Sequence, residues 1–178
     1  MNGKIGYTIT VVAVILLIVG TIGISFDDEV NDIPTPNTPR AVYFADEPLQ
    51  DNPVSLLLAA KTTMTWDRSD IYLVIADEEK KEQCADIVGR PIELISPGST
   101  TCKAEDSGYE KVGLDNSTGL EWTVETGDYF VGIGTLGDSV PEDLELNVEY
   151  TVELNLSATG YFLSLLLGAC GFILIKYD

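Results

Sequence analysis

The chain has 178 residues, a net charge of −19 and no histidine. Lacking imidazole, it has no His-based triad, no ordinary general base near neutral pH, and no donor set for most catalytic zinc sites or for blue copper. Between Asp27 and Leu156 lie 28 of the 29 acids but only 8 of the 10 bases, so that stretch carries about −20. This argues against nucleic acid or anionic lipid as a partner, because both select basic surfaces.

The first apolar run, Ile5 to Ile24, has no charge and is rich in Val, Ile and Leu. Its 20 residues would span about 30 Å as a helix, the thickness of a bilayer's hydrocarbon core. Lys4 precedes it, and Asp27, Asp28 and Glu29 follow. A cleaved signal peptide is the alternative. Its apolar region is shorter, however, and Gly20-Thr21-Ile22-Gly23-Ile24-Ser25 makes a poor cleavage site, so an uncleaved membrane anchor is expected.

Five of the eight prolines fall between Asp27 and Pro53, the composition of an extended tether with a short edge strand at Ala41 to Phe44. Beyond it the apolar period becomes two. Val54, Leu56, Leu58, Ala60, Thr62, Met64 and Trp66 share one strand face, and Ile71 to Ala76 forms a shorter, uniformly apolar strand. Asp77 to Ala85 is charged and reads as a helical turn or a loop. Further strands are expected at 91–95, 109–114, 120–125 and 129–136, with turns at Thr126-Gly127-Asp128 and Pro141-Glu142-Asp143. From Leu144 to Leu156 apolar and polar residues alternate without a break, as in an antiparallel strand buried on one side. Seven or eight such strands without a long helix between them predict a mainly β fold, two antiparallel sheets packed as a sandwich.

The second uncharged run, Ser157 to Ile175, can also span a membrane and is followed by Lys176-Tyr177-Asp178. A C-terminal lipid-anchor signal is the alternative, disfavoured by those closing charges. With Lys4 and Lys176 outside the two spans, both termini are expected in the cytoplasm and residues 27–156 outside the cell. The division is then a transmembrane helix over 1–25, a Pro-rich tether over 26–52, a β-sandwich over 53–156, and a transmembrane helix with a short tail over 157–178. On the second helix Ser157, Gly160, Ser164, Gly168 and Gly171 share one face; Gly6, Thr10, Ala13, Gly20 and Gly23 approximate another on the first. Such faces let helix backbones approach in lipid, either against each other or against another subunit.

Three cysteines leave one over in an exported protein. Cys170 lies in the apolar run, so Cys84 and Cys102 are expected to form a disulfide; a two-thiolate metal site without histidine is the poorer alternative. Asn116-Ser117-Thr118 matches the N-glycosylation pattern. Asp67 and Asp70 bracket one turn and Asp138, Glu142 and Asp143 crowd another, which raises Ca²⁺ against the plainer reading of a solvated acidic surface. No other metal and no cofactor is expected. GxSxG, SxxK, Walker and Rossmann patterns are absent, so no enzyme is expected either.

The strand ending in Trp66, then Ser69-Asp70-Ile71-Tyr72-Leu73, and later Thr126-Gly127-Asp128-Tyr129-Phe130-Val131 before a final alternating strand, resemble pre-peptidase C-terminal domains. More distantly they resemble lumenal GOLD domains. The resemblance spans residues 54–156 and implies a jelly-roll-like binding or accessory module, although a catalytic domain normally accompanies the protease modules. The expected role is an accessory or structural subunit of a membrane protein complex. A free-standing surface receptor or adhesion module for a protein, glycan or Ca²⁺ is the second reading.

Overall fold

The computed structural model describes residues 2–36, 39–85, 102–137 and 145–177. Helix α1 (Asn2–Ile22) leads into β1 (Ile24–Pro34), followed by β2 (Val42–Phe44), β3 (Leu58–Trp66) and β4 (Ile71–Asp77). Helix α2 (Glu78–Ala85) comes next, then β5 (Lys111–Gly113), β6 (Leu120–Thr123), β7 (Tyr129–Thr135), β8 (Glu145–Leu156) and α3 (Ala158–Lys176). The strand expected at 91–95 lies outside the described residues.

The strands form two four-stranded antiparallel sheets, β1-β8-β3-β6 and β2-β7-β4-β5. Strand 1 pairs with 8, 2 with 7, 3 with 6 and 4 with 5. This nested pairing is one long hairpin rolled over itself, the winding of an eight-stranded jelly roll. Inward residues of both sheets meet in a core of Met64, Trp66, Ile71, Leu73, Ile75, Leu120, Trp122, Leu146 and Val148. The indole Nε1 of Trp66 donates to the Ile71 carbonyl at 3.0 Å, so the buried ring leaves no polar atom unpaired.

The β2-β7-β4-β5 sheet is buried on its other face as well. There Val42, Phe44, Tyr72, Val74, Ala76 and Phe130 pack with Cys84 and Cys102. This explains why Ile71 to Ala76 carries no polar alternation: both faces of β4 are covered. Asp77 accepts from the Lys80 amide at 2.8 Å and so caps α2, the helical alternative of the two expected there. The Cys84–Cys102 disulfide ties the end of this helix to the segment crossing the sheet. Val42 N–H donates to the Cys102 carbonyl at 3.0 Å, fixing that segment to β2.

Burial raises the pKa of both Tyr72 and Tyr109 above the ordinary phenol value, and the nearby acids Glu105 and Asp106 add to the rise. An unfolded tyrosine ionises near pH 10 while these two stay neutral in the fold, so their contribution is whole below that pH and declines progressively as the pH rises beyond it toward their raised folded values. The sandwich should therefore lose β ellipticity above about pH 10. Phenolate absorbance from these two rings should rise together with unfolding and not before it.

The tether is corrected. Residues 26–52 do not form a free leash, because β1 pairs with β8 from Ile24↔Leu154 to Pro34↔Glu145, and β2 pairs with β7. A register shift between Val30 and Ile33 absorbs the break in alternation. The sandwich thus begins at Ile24, and a fragment starting at residue 53 would lack two strands. At the other boundary Val54 to Leu57 form a turn, so β3 starts four residues later than the alternation suggests.

Candidate functional site

The base of the sandwich is where the apolar helices and the sheets meet. Gly23 stands between α1 and β1, with φ +79, and its N–H donates to the Val19 carbonyl at 2.9 Å. A left-handed residue ending a helix favours glycine, and here it turns the chain straight into a strand. Ser157 stands between β8 and α3. Its Oγ caps α3 by accepting from the Gly160 amide at 3.0 Å and also donates to the Leu56 carbonyl. Its own N–H donates to Leu57 O at 2.9 Å. Since β1 and β8 are paired neighbours, the two helices and two strands form one continuous antiparallel unit.

The helices pack on each other along their small residues. Gly6, Ala13 and Gly20 are buried on α1, and Gly160, Ser164 and Gly171 on α3. Gly6 to Ala13 to Gly20 and Ser157 to Ser164 to Gly171 each step by seven, the repeat of left-handed helix pairs. A Cβ on Gly6 would sit 2.7 Å from the Gly171 carbonyl, and one on Gly171 would sit 2.9 Å from the Gly6 carbonyl. Near the sheets, the Leu156 side chain fills the space left by Gly20 and Gly160. Tyr161 Oη donates to the Gly20 carbonyl at 3.2 Å, a polar clasp at the same level. The expected faces are therefore in contact with each other. Gly168 faces Ala13, while Ser157 serves as cap and strand anchor. On the outer faces large side chains such as Ile15, Ile18, Phe162 and Phe172 are exposed. Both helices have the length and composition to cross a membrane.

Above the base, the two sheets differ in strand length. Strand β8 has 12 residues and β1 has 11, whereas β4 and β7 have 7 each. The longer sheet overhangs the shorter one toward the helices. Between them opens an apolar cavity of about 730 Å³, with Tyr43, Trp122, Val131, Ile133, Tyr150 and Val152 among its walls. Below it the same sheet face continues as Phe26 opposite Val152 and Ile24 opposite Leu154. Phe26 is 56% exposed and Ile24 46%. The cavity lies within the roughly 300–1,000 Å³ typical of ligand pockets. Asp46 and Gln50, both exposed, are among the polar groups of its lining.

No family model matches the chain. No curated protein matches it either. Among solved structures it is similar to that of tomato aspermy virus, with TM-score 0.37 and 11% identity over 74% of this chain and 77% of that one. A likeness that distant carries no argument about fold or function.

Of the expected calcium ligands, the two among the described residues are each bound to other partners. Asp67 is committed to β8: its carboxylate accepts from Asn147 N at 3.1 Å and Asn147 Nδ2 at 2.7 Å. Asp70 is bound twice by Arg68, at 3.0 and 2.8 Å, and this pairing holds its carboxyl below the ordinary range. Asp138, Glu142 and Asp143 lie outside the described residues. Among the described residues no group of three or more His, Cys, Asp or Glu side chains could hold a metal. Asp67→Ala should cost about 1 kcal/mol by removing two charge-assisted hydrogen bonds to Asn147, measurable as a shifted urea midpoint with unchanged slope.

The sequon asparagine Asn116 has a hydrogen-bond partner within the fold. Its Nδ2, the atom a glycan would modify, donates to the Trp66 carbonyl at 3.1 Å and ties the β5–β6 turn to the end of β3. In the same turn the Asp115 carboxylate accepts from Ser117 Oγ at 2.7 Å and Ser117 N at 2.8 Å. The cavity residues escaped sequence reading: strand alternation put Thr62 and Met64 on one face and Val148, Tyr150 and Val152 on another, but Tyr43, Asp46 and Gln50 lay in the expected tether. The available signal was length: thirteen alternating residues from Leu144 to Leu156 exceed every other strand segment beyond residue 66.

Proposed function

We infer that the chain is a membrane-anchored accessory subunit, whose two helices span the membrane and hold the acidic jelly roll upright on its outer face. Lys4 and Lys176 then lie on the cytoplasmic side and residues 27–156 outside, where oxidising conditions favour the Cys84–Cys102 bond. The observation that supports this reading best is the continuous α1–β1 and β8–α3 unit. A domain meant to reach freely for ligands is served by a flexible leash. Here single residues, Gly23 and Ser157, join strands to helices and restrict the height and tilt of the sandwich. Such a mount suits a module that meets a neighbour at a set distance from the bilayer.

Because the small-residue faces are occupied within the chain, a partner subunit would engage the large apolar side chains on the outer helix faces or the acidic sandwich surface. Crosslinking in native membranes followed by mass spectrometry should give a reproducible set of partner peptides attached to these surfaces. Recovery as a lone monomer, free of heterologous crosslinks, would count decisively against an accessory subunit. Protease added to intact cells should cleave the acidic segment and leave tags at both ends protected. A receptor or binding module is the second reading, favoured specifically by the apolar cavity.

A further inference from the structure

We propose that the cavity between the sheets takes a hydrocarbon chain of a membrane lipid from the adjoining leaflet. The proposal rests on the membrane-anchored reading and adds a ligand class to it. The walls are apolar and aromatic, and hydrocarbon is the guest such surfaces favour over water. The source is set by position. Val152, at the cavity's lower lip, stands four residues above Leu156, about 13 Å along the strand. That distance is about twice the thickness of one headgroup layer, roughly 5–8 Å, so an apolar path has to cover the difference. The interval is bridged by Ile24, Phe26 and Leu154, which share one face of the overhanging sheet. A chain leaving the bilayer along this strip stays on apolar surface until it enters the cavity. The acidic surroundings and the exposed Asp46 in the lining favour a headgroup without net negative charge.

Trp122 lines the cavity and is one of only two tryptophans. It pairs with Thr62, which in turn pairs with Val152, so it stands level with Val152, about 13 Å above Leu156 along the strand. Bromines at mid-chain in a bilayer lie on the far side of the headgroups from it. The full chain carrying Trp66→Phe should be reconstituted in vesicles of dibrominated phosphatidylcholine and of its unbrominated counterpart. Emission from Trp122 should fall at least twofold in the brominated vesicles. Filling the cavity with Val131→Phe, or placing charge at its lip with Val152→Arg, should restore it. Flotation with the vesicles separates the possible failures. A chain that floats with equal emission in both vesicles, or with variants quenched as strongly as the parent, overturns the cavity proposal alone. A chain that does not float overturns the anchored reading, and the proposal with it. Native mass spectrometry of the unmutated chain gives a readout independent of the Trp66 change. One retained phosphatidylcholine, displaced in Val131→Phe, is expected; no retained lipid in the unmutated chain overturns the proposal.

Discussion

In a Cys170→Ser background, cysteines introduced at Ala13 and Gly168 should join almost completely under mild oxidant in the membrane. A Cβ at Gly168 would lie 3.6 Å from that of Ala13, close to the separation of about 3.8 Å found in disulfides. The yield should not fall on dilution, because both cysteines belong to one chain. Gly171→Leu in the same chain should suppress the bond by more than tenfold. Its side chain would be driven into Thr10 and the Gly6 carbonyl, where there is no room even for a methyl group. Overpacking of this kind costs about 1–3 kcal/mol when neighbours can shift. Two backbones in contact have little freedom to shift, so separation of the helices is the expected response. A dimer-linked product in place of the internal crosslink would show that the faces pair between chains. Full crosslinking in Gly171→Leu would show that the close approach is not what holds the pair.

Replacing both Cys84 and Cys102 with alanine should destabilise the sandwich by about 3 kcal/mol on chain-entropy grounds. The bond closes a separation of 18 residues, and Cys84 is fully buried within the second core. For a domain of this size the loss corresponds to a melting temperature lower by about 10–20 °C. The first region to open should be the outer cover of the β2-β7-β4-β5 sheet. There α2 is held by the bond, by its Asp77 cap and by Lys81, whose ammonium lies 3.6 Å from the Phe130 ring centre. Hydrogen exchange should rise at Val42 and across α2 before it rises at Leu146 or Ile71. Uniform exchange across both sheets would show instead that the bond stabilises the domain as a whole.

Parts of this architecture are plain in the sequence because one physical rule dominates them. The apolar runs are long and uncharged enough to read as helices with the composition of membrane spans, and β8 alternates so regularly that one face must be covered. The odd cysteine count also resolves itself once Cys170 is placed in an apolar helix. Strand β1 was hidden for the opposite reason. Its apolar residues Ile24, Phe26 and Val30 do alternate, but Asp28 occupies the intervening inward position and a register shift follows. Asp28 is tolerated there because it accepts from the Tyr150 hydroxyl at 3.2 Å at an exposed edge. Nearby prolines strengthened the impression of a tether, yet Pro34 merely ends the strand. The small residues on the helices were legible as faces; their partner was not, since spacing along one helix carries no information about what lies opposite. The cavity depends on a mismatch between two sheets, a property of the assembled pair that belongs to neither strand pattern alone.

Joining the first and last strands to paired helices also bears on how the sandwich assembles. Ile24 meets Leu154 across nearly the whole length of the domain, and closing so long a loop from a free chain costs roughly 4 kcal/mol in entropy. If the helices associate first, they deliver the ends of β1 and β8 to one another, and much of that cost is met before any sheet exists. The central position of β8, between β1 and β3, gives this order further weight: until it arrives both neighbours are open edges. The anchor then acts as a folding template. Variants that part the helices should slow refolding of the sandwich more than they weaken it once formed.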